Sequence, residues 1–282
     1  MNGDLVAARK RNYATLHWRA KHGIDDVLDD PHPELERLLA CWPRWLQGQA
    51  RDGSFLWYEK LGAIDAGRLR RERLGHHNVL ARHVGLLCEY VTQCLDPHSA
   101  WRDPYATSPR PQVTVVWDLE GMTASKWADL ALRKAVRAWG DIISSHYPGL
   151  VTSILVVNCP TYSPATLALL QPLVLLPKTL RATVRLVGKG RGNGLGSNGG
   201  GGAPLASLAE AIDPGVLSIE YPGGVNPAPP EAAVEWKGLM RIVRRSRRYH
   251  EYVHKMQGHG DGEEEEAKAQ HGQEQGRETA AE

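Results

Sequence analysis

A strand, a helix and a second strand follow one another in the middle of this chain, and this succession constrains its fold most. The β-branched runs Val113–Trp117 and Ile154–Val157 have the composition of strands. Between them, Ser125 is positioned to cap a helix that runs to about Ser145. Its apolar face is formed by Leu130, Leu132, Ala135, Val136, Trp139, Ile142 and Ile143. A strand–helix–strand unit packs as a right-handed crossover onto a parallel sheet, so the sequence predicts an α/β fold.

The segment that follows, Ala165–Leu176, is apolar on nearly every side of a helix, apart from Gln171 and a break at Pro172. A surface helix shows an apolar stripe and a polar face. Both faces of this segment therefore need apolar neighbours. The protein core supplies one, and a partner, a membrane or an apolar ligand supplies the other. A further strand is predicted at Thr183–Val187.

The first half of the chain is predicted to be mainly helical. Residues 5–46 read as polar helix, and Arg68–Asp96 reads as one long helix with a recurring apolar side. Asp52–Gly53 is a turn signal, and the aromatic run Phe55–Tyr58 after it predicts a strand.

Length and composition set the class of protein. A chain of 282 residues with a net charge of +2 forms one large domain with additions or two small ones. No apolar run reaches the roughly 18 residues that a membrane span needs, and the N-terminus lacks an apolar signal core. We therefore expect a soluble, cytoplasmic protein. Its cysteines show no paired spacing, which favours buried thiols over disulfides: Cys41, Cys88, Cys94 and Cys159.

No pattern indicates catalysis, a metal site or a cofactor. His83 and Cys88 are five residues apart, a spacing that does not aim two helical ligands at one metal ion. The glycine run Gly188–Gly202 contains a GxGxxG match, but any glycine-rich run generates one, and a flexible loop is the simpler interpretation. We predict no catalytic residue, no metal and no cofactor.

The C-terminal part changes character twice. Trp236–Gln257 predicts a basic helix, in which seven cations face Glu251 alone: Lys237, Arg241, Arg244, Arg245, Arg247, Arg248 and Lys255. Such a helix meets an anionic membrane or an acidic partner, or it is a solvated face on a helix packed through its apolar side. From Gly258 onward the composition predicts disorder, and the acidic run Glu263–Glu266 is suited to fold back on the basic helix.

The chain resembles the CRAL-TRIO lipid-binding domain, the class of the SEC-fourteen-type phosphatidylinositol/phosphatidylcholine transfer proteins. The resemblance extends over about residues 18–225. It is carried, in order, by Trp18–Arg19 with Gly23–Leu28, by Asp52–Gly53 through Leu61–Asp65, by Val113–Gly121, by Tyr147–Pro148 with Val156–Pro160, Pro172 and Thr179, and by Ile212–Asp213 with Tyr221–Gly224.

This resemblance implies a mostly parallel sheet that floors a hydrophobic pocket, covered by helices, with a short N-terminal helical segment. A helical gate, from Asn158 to about Leu180, closes the pocket over one lipid. The implied lipid-pocket residues are Trp57, Val113, Val115, Trp117, Val151, Ile154, Val156, Leu167, Leu170 and Val174, and the possible headgroup contacts are Thr179, Arg181 and Arg185.

The implied domain limits follow the same comparison. Residues 1–50 form a shortened N-terminal helical segment, and 51–226 the lipid-binding domain, with a glycine-rich flexible insertion at 188–204. Residues 231–257 form the basic C-terminal helix, and 258–282 the disordered acidic tail.

Several positions depart from the family pattern for headgroup recognition. Members that bind phosphoinositides have a Glu after the Tyr-Pro pair, where this chain has Gly149, and a Lys after the gate threonine, near Ala182 here. Members that hold phosphatidylcholine have a Ser-x-Thr where this chain has Val113 and Val115. The ligand is therefore either a phospholipid such as phosphatidylinositol or another hydrophobe such as a sterol, tocopherol or retinoid.

The function that the resemblance implies is not enzymatic. The protein binds one hydrophobic ligand and transfers or presents it between membranes, as a cytoplasmic monomer that contacts membranes transiently and binds no nucleic acid. The alternatives are an adaptor or scaffold of the same fold that binds protein partners such as small GTPases, and a nucleotide-dependent enzyme that uses the glycine run.

Overall fold

A mostly parallel sheet forms the centre of the protein, as predicted. The computed structural model describes residues 5–95, 111–159, 176–181, 183–187 and 207–246. Within them, five strands lie in the spatial order of the sequence. They are β1 (Arg44–Gln49), β2 (Phe55–Lys60), β3 (Val113–Asp118), β4 (Val151–Val157) and β5 (Val184–Leu186). Only the β1–β2 pair is antiparallel among these neighbours.

Helices of the described residues surround this sheet. They are α1 (Leu5–His22), α2 (Leu35–Cys41), α3 (Ala66–Arg71), α4 (His77–Tyr90), α5 (Ala124–Ala128), α6 (Leu130–His146), α7 (Lys178–Arg181) and α8 (Val234–Arg245). A π-helical turn, Val91–Leu95, prolongs α4, and short 3₁₀ turns lie at Leu61–Ala63, Leu208–Glu210 and Pro230–Ala232. Helices α4 and α6 pack against each other, and α1 packs on both.

The predicted strand–helix–strand unit is confirmed as β3, α6 and β4, but the start of its helix is wrong. Thr123 caps the short α5, and α6 begins after a second cap, in which the side chain of Asp129 accepts from the backbone N–H groups of Ala131 and Leu132. Because the chain bends at Asp129, Leu130 faces solvent with 61% of its surface exposed, contrary to its predicted place on the apolar face.

The long helix predicted at Arg68–Asp96 is divided in two. The break lies between α3 and α4, where Arg73 adopts a left-handed φ of 56° and Leu74 is fully buried. The spacing of apolar residues in the sequence remains helical across this break. In the structure, however, the chain turns there and Leu74 is buried.

The helical reading of residues 5–46 holds for α1 and α2 and is wrong at its end, where β1 begins at Arg44. This strand exists because it pairs with β2, with Arg44 opposite Glu59 and Leu46 opposite Trp57. Helix α8 packs against β1 and buries Trp236, Leu239 and Val243.

Other predictions fall partly outside the described residues. The apolar segment before Leu176, the glycine run and the acidic tail lie there, as does the predicted basic helix beyond Ser246. The four cysteines are free. Cys41 and Cys88 are buried as predicted, whereas Cys94 is exposed.

Candidate functional site

The sheet has two faces, and Trp139 of α6 identifies the face that the helices cover. The ring of Trp139 contacts those of Trp57 on β2 and Trp117 on β3, with centroids 6.0 and 5.3 Å apart. Side chains alternate between the faces of a strand, so every second residue of β2 and β3 lies on this side. We call it the helix-covered face.

The register of the strands brings most of the predicted pocket residues together there. Trp57 is opposite Val115, which is opposite Ile154, and Trp117 is opposite Val156. These residues and Val113 are at most 1% exposed. Val151 pairs with Val113 at the start of β4 and is 5% exposed. The remaining predicted residues, Leu167, Leu170 and Val174, lie outside the described residues.

The described end of the β4–β5 connection also reaches this side of the protein. Leu176 and Pro177, just before α7, pack against Gly140 in the middle of α6. A Cβ atom at Gly140 would lie 2.7 Å from Cδ2 of Leu176, so a larger residue there would require the leucine side chain to shift. The C-terminal end of the predicted gate therefore rests on the helix that covers the helix-covered face. We call the aliphatic residues of β3 and β4 on this face the valine floor: Val113, Val115, Ile154 and Val156.

A buried ion pair lies on the same face, and sequence reasoning missed it. Arg44 of β1 and Glu59 of β2 are opposite each other, with 3.4 Å between Nη1 and Oε1 and no exposure of either side chain. The guanidinium lies 3.8 Å over the ring of Trp42. None of their side-chain N or O atoms makes a hydrogen bond of ordinary geometry with a described residue. No local signal marks the pair, because Arg44 was expected to be helical.

Burial dominates the electrostatics of this pair. Burial raises the pKa of Glu59, whereas Arg44 and the indole N–H groups of Trp117, Trp139 and Trp42 act to lower it. Burial also lowers the pKa of Arg44 to about 10, against the attraction of Glu59. Nearby, burial and the charge on Arg44 hold the pKa of His83 on α4 well below its ordinary value, so its imidazole is neutral at pH 7.

One of the three predicted headgroup contacts, Arg185, lies on the face of the sheet opposite the valine floor. Thr179 is exposed on α7. The structure does not describe the side chain of Arg181. Arg185 is opposite Leu155 and alternates with Val184 and Leu186, so it lies on the other face of the sheet. There it lines a polar cleft of about 360 Å³ together with Ala50, Arg51, Asp52, Thr114, Thr152, Ser153, Glu210 and Ala211.

Gly149, the position of the family glutamate, is a turn residue. Its φ is +81°, a conformation that strains any residue with a side chain, and the N–H of Leu150 closes the turn on the carbonyl oxygen of Tyr147. The hydroxyl of Tyr147 donates to Glu89 at 2.8 Å, and Arg19 of α1 pairs with the same carboxylate at 2.6 Å. Glu89 of α4 thus joins α1 to the turn that follows α6.

Asn158 begins the connection that leads toward the predicted gate. It has a left-handed φ of 52°, which asparagine tolerates better than most residues. Its Nδ2 donates to Oδ1 of Asp118 at 2.9 Å, across the carboxyl ends of β4 and β3. This hydrogen bond ties the end of β4 to the end of β3, beside the backbone hydrogen bond from Leu119 to Val157.

The opposite face of the sheet is covered by C-terminal residues. Tyr58 stacks between Trp45 of β1 and Tyr221, with ring centroids 5.0 and 5.8 Å apart. Burial raises the pKa of Tyr221 above its ordinary range, and the neighbouring Asp118 adds to this. Aromatic packing and polar contacts thus occupy this side.

The family model for the CRAL/TRIO domain matches residues 41–194, more than half of the chain. The chain belongs to the CRAL/TRIO domain family. The match includes all five described strands, and it confirms the resemblance inferred from the sequence. Helix α8 and the segment that covers the opposite face follow the matched residues.

Relatives of this CRAL/TRIO protein are similar over part of their length. The SEC14 cytosolic factor of Eremothecium gossypii is 25% identical over 175 residues, which are 60% of this chain and 53% of the relative. The phosphatidylinositol/phosphatidylcholine transfer protein SFH4 of Arabidopsis thaliana is 24% identical over 160 residues, 55% of this chain and 25% of the relative. The chain thus spans about a quarter to a half of these relatives.

The fold agrees with a solved structure. The crystal structure of Sfh5 is similar with a TM-score of 0.54 at 15% identity, over 86% of this chain and 78% of that one. At this identity the comparison establishes the fold of the CRAL/TRIO protein. None of the helices in the described ranges is long and apolar enough to span a bilayer.

Proposed function

We propose that this CRAL/TRIO protein binds a single hydrophobic ligand on the helix-covered face of its sheet and transfers or presents it between membranes. The proposed ligand is a phospholipid such as phosphatidylinositol, in analogy to the names of SFH4 and a second Arabidopsis thaliana relative, SFH13. The proposed role is non-enzymatic, carried out by a cytoplasmic monomer that contacts membranes transiently.

The observation that carries this proposal is the continuous apolar floor on the helix-covered face. Val113, Val115, Ile154 and Val156 are neighbours across β3 and β4, and the described end of the β4–β5 connection packs on the helix above them. Each buried methylene contributes about 0.8 kcal/mol. About ten methylenes of one acyl chain therefore contribute about 8 kcal/mol, which corresponds to a dissociation constant of about 1 μM.

Recognition of the headgroup contributes less in this proposal than in relatives with a glutamate after Tyr-Pro. Gly149 bears no side chain, and its left-handed φ disfavours one. Arg185 lies on the opposite face, away from the floor. We therefore expect weak discrimination between phospholipid headgroups, and a sterol, tocopherol or retinoid remains an alternative ligand for the same floor.

A second candidate is a non-transferring adaptor that binds proteins or membranes. One observation favours it, because the packed rings of Trp57, Trp117 and Trp139 take up volume on the face where the ligand would lie. The two candidates differ in whether purified protein contains a ligand.

The test is extraction and mass spectrometry of purified protein, followed by an assay of lipid transfer between donor and acceptor vesicles. The transfer proposal predicts about one bound hydrophobe per chain. Val115→Leu is expected to lower this occupancy by adding volume to the floor. Val116→Leu is the matched control, because Val116 is equally buried and points to the opposite face.

Each variant adds one methylene group to the buried interior, which lowers the free energy of unfolding by about 1–3 kcal/mol. Thermal unfolding must therefore be measured for both variants. An equal loss of ligand in the two variants would show that ligand is lost through destabilisation. Protein that carries no hydrophobe and transfers none would refute the transfer proposal and favour the adaptor.

A further inference from the structure

Helix α8 presents a row of cations to solvent. At 3.6 residues per turn, these cations lie within about 100° of one another, on the side opposite to the buried Trp236, Leu239 and Val243. All of them are exposed, and Val234 is the only other residue of the helix in this sector. We call them the cationic face of α8: Lys237, Arg241, Arg244 and Arg245.

The charges of the cationic face are only partly compensated by the residues around it. Arg244 lies 3.5 Å from Glu36 of α2, and within the described ranges this is the only ion pair of the four cations. Arg241 is four positions from both Lys237 and Arg245, a spacing at which like charges destabilise a helix. An acidic segment bound along the face would relieve this repulsion.

The packing of α8 holds the cationic face in place. The hydroxyl of Tyr90 on α4 donates to the backbone carbonyl oxygen of Glu235 at 2.8 Å. Gly238 allows this approach, because a Cβ atom there would clash with the hydroxyl oxygen. Helix α8 also packs against β1. Because the buried side already fixes the helix, a ligand of the cationic face does not have to order it.

The chain itself contains a segment of complementary charge. Residues 258–282 include eight acidic and two basic residues, and Glu263–Glu266 are consecutive. The whole chain has a net charge of +2, so the other 257 residues carry +8. Four consecutive residues extend at most about 14 Å, close to the roughly 12 Å that separate Lys237 from Arg245 along the helix axis. The acidic run therefore matches the face in both charge and length.

The acidic run is also within reach of the face. It begins 17 residues after Ser246, the last residue that the structure describes, and this length of chain extends up to about 60 Å. Gly258, Gly260 and Gly262 come shortly before it, and glycine permits the backbone conformations that a chain reversal needs. Two groups on one chain meet at an effective concentration in about the millimolar range, which compensates for the weakness of exposed ion pairs.

We propose that the acidic run Glu263–Glu266 binds the cationic face of α8 within the same chain. This inference goes beyond the proposed function and does not depend on the ligand of the domain. It assigns the face an intramolecular occupant, which any other anionic surface must displace before it contacts α8.

The test is zero-length cross-linking of the full-length protein with a carbodiimide, which joins a lysine amine to a carboxylate when the two are in contact. Mass spectrometry is expected to find Glu263–Glu266 joined to Lys237 more often than to Lys10 on α1 or Lys134 on α6, which are also exposed. High salt is expected to suppress the Lys237 product, because it screens exposed charges.

A triple variant that keeps the reporter lysine tests the role of the other cations. Arg241→Gln/Arg244→Gln/Arg245→Gln leaves Lys237 and the connecting chain unchanged, and glutamine is a good helix former. An exposed ion pair contributes about 1.4- to 5-fold to an equilibrium constant. The variant is therefore expected to lower the ratio of bound to free acidic run about 3- to 100-fold, with a matching loss of the Lys237 product.

A matched control removes the same charge from another surface. Arg9, Lys10 and Arg11 are consecutive and exposed on α1, and Arg9→Gln/Lys10→Gln/Arg11→Gln is expected to retain the Lys237 product. Thermal unfolding of every variant shows whether the fold is unchanged.

Four outcomes overturn the proposal: an unchanged Lys237 product in the α8 variant, equal losses in the α8 variant and its control, products that form only between chains when isotope-labelled and unlabelled protein are mixed, or no Lys237 product in the native protein. In the last case, protection of Lys237 from acetylation by vesicles that contain phosphatidylserine would assign the face to a membrane instead.

Discussion

The buried Arg44–Glu59 pair offers the sharpest test of the packing between the sheet and its helices. Both side chains are fully buried, and the partner of each is the main compensation for its lost hydration. Removing one charge leaves the other unpaired in the interior, which costs about 3–5 kcal/mol. We therefore expect both Glu59→Gln and Arg44→Met to lower the free energy of unfolding by about this amount.

The double variant Arg44→Met/Glu59→Gln is expected to be more stable than either single variant. Replacing a buried ion pair by neutral groups of similar volume is often neutral or stabilising. The glutamine keeps the shape and volume of the glutamate side chain, and the methionine side chain is long enough to pack on the Trp42 ring, which Arg44 covers in the native protein. We expect a loss of less than about 2 kcal/mol, and hence a coupling energy of several kcal/mol.

Urea denaturation of the four proteins in a double-mutant cycle measures these values. In a domain of this size 1 kcal/mol shifts the melting temperature by about 2–4 °C, so each single variant should melt about 6–20 °C lower. If Glu59→Gln unfolds within about 1 kcal/mol of the native protein, the carboxyl group is protonated in the fold. The argument from an ionised, paired Glu59 would then be refuted.

Three further predictions concern the backbone and pH. Gly62→Ala should lower the free energy of unfolding by at least about 3 kcal/mol, because a Cβ atom there clashes with a backbone carbonyl oxygen. Gly53→Ala should lower it by only about 1 kcal/mol, because Gly53 has open space around it and only its positive φ opposes a side chain. Similar melting temperatures for the two variants would contradict this. Asn158→Val should cost about 1–2 kcal/mol more than Asn158→Gly, since only glycine adopts a positive φ without strain, and urea titration decides. Burial and two neighbouring histidines lower the pKa of His146 to about 4, so the stability contributed by its neutral ring is complete above about pH 6.5 and is lost as the pH falls toward 4. In His146→Phe, which retains the ring stacked on Trp18, the melting temperature should fall less steeply over this pH range. An unchanged slope would contradict the assignment to His146.

The central strands were predictable from sequence, whereas the antiparallel edge strand β1 was not. β3 and β4 are β-branched runs between turn signals, and their burial on both faces is typical of parallel strands. β1 contains polar residues and Gly48, which has a φ of +71°, so it has little strand propensity of its own. It becomes a strand because its backbone pairs with β2, and such long-range pairing leaves no local signal.

The caps and the ion pair were missed for related reasons. Asp129 and Ser125 are both good N-cap residues, and the choice between them depends on where α6 must begin to pack. Arg44 and Glu59 are fifteen positions apart in the numbering, in two elements that sequence reasoning assigned to different classes. A contact between them can be inferred only after the strands are aligned.

The face of the sheet on which Val115 lies is revealed by a helix contact and not by the alternation of side chains. Every residue of β3 is buried, so a period-two pattern of apolar and polar residues is absent and the strand offers two equivalent faces. The contact of Trp117 with Trp139 removes this ambiguity, because α6 lies on one side of the sheet only. Val115 then belongs with the helices, and Arg185, in the last strand, belongs to the opposite side. The backbone of the sheet therefore lies between the valine floor and the side chain of Arg185. Loss of ligand in Val115→Leu together with unchanged occupancy in Arg185→Ala is the result that this separation of faces requires.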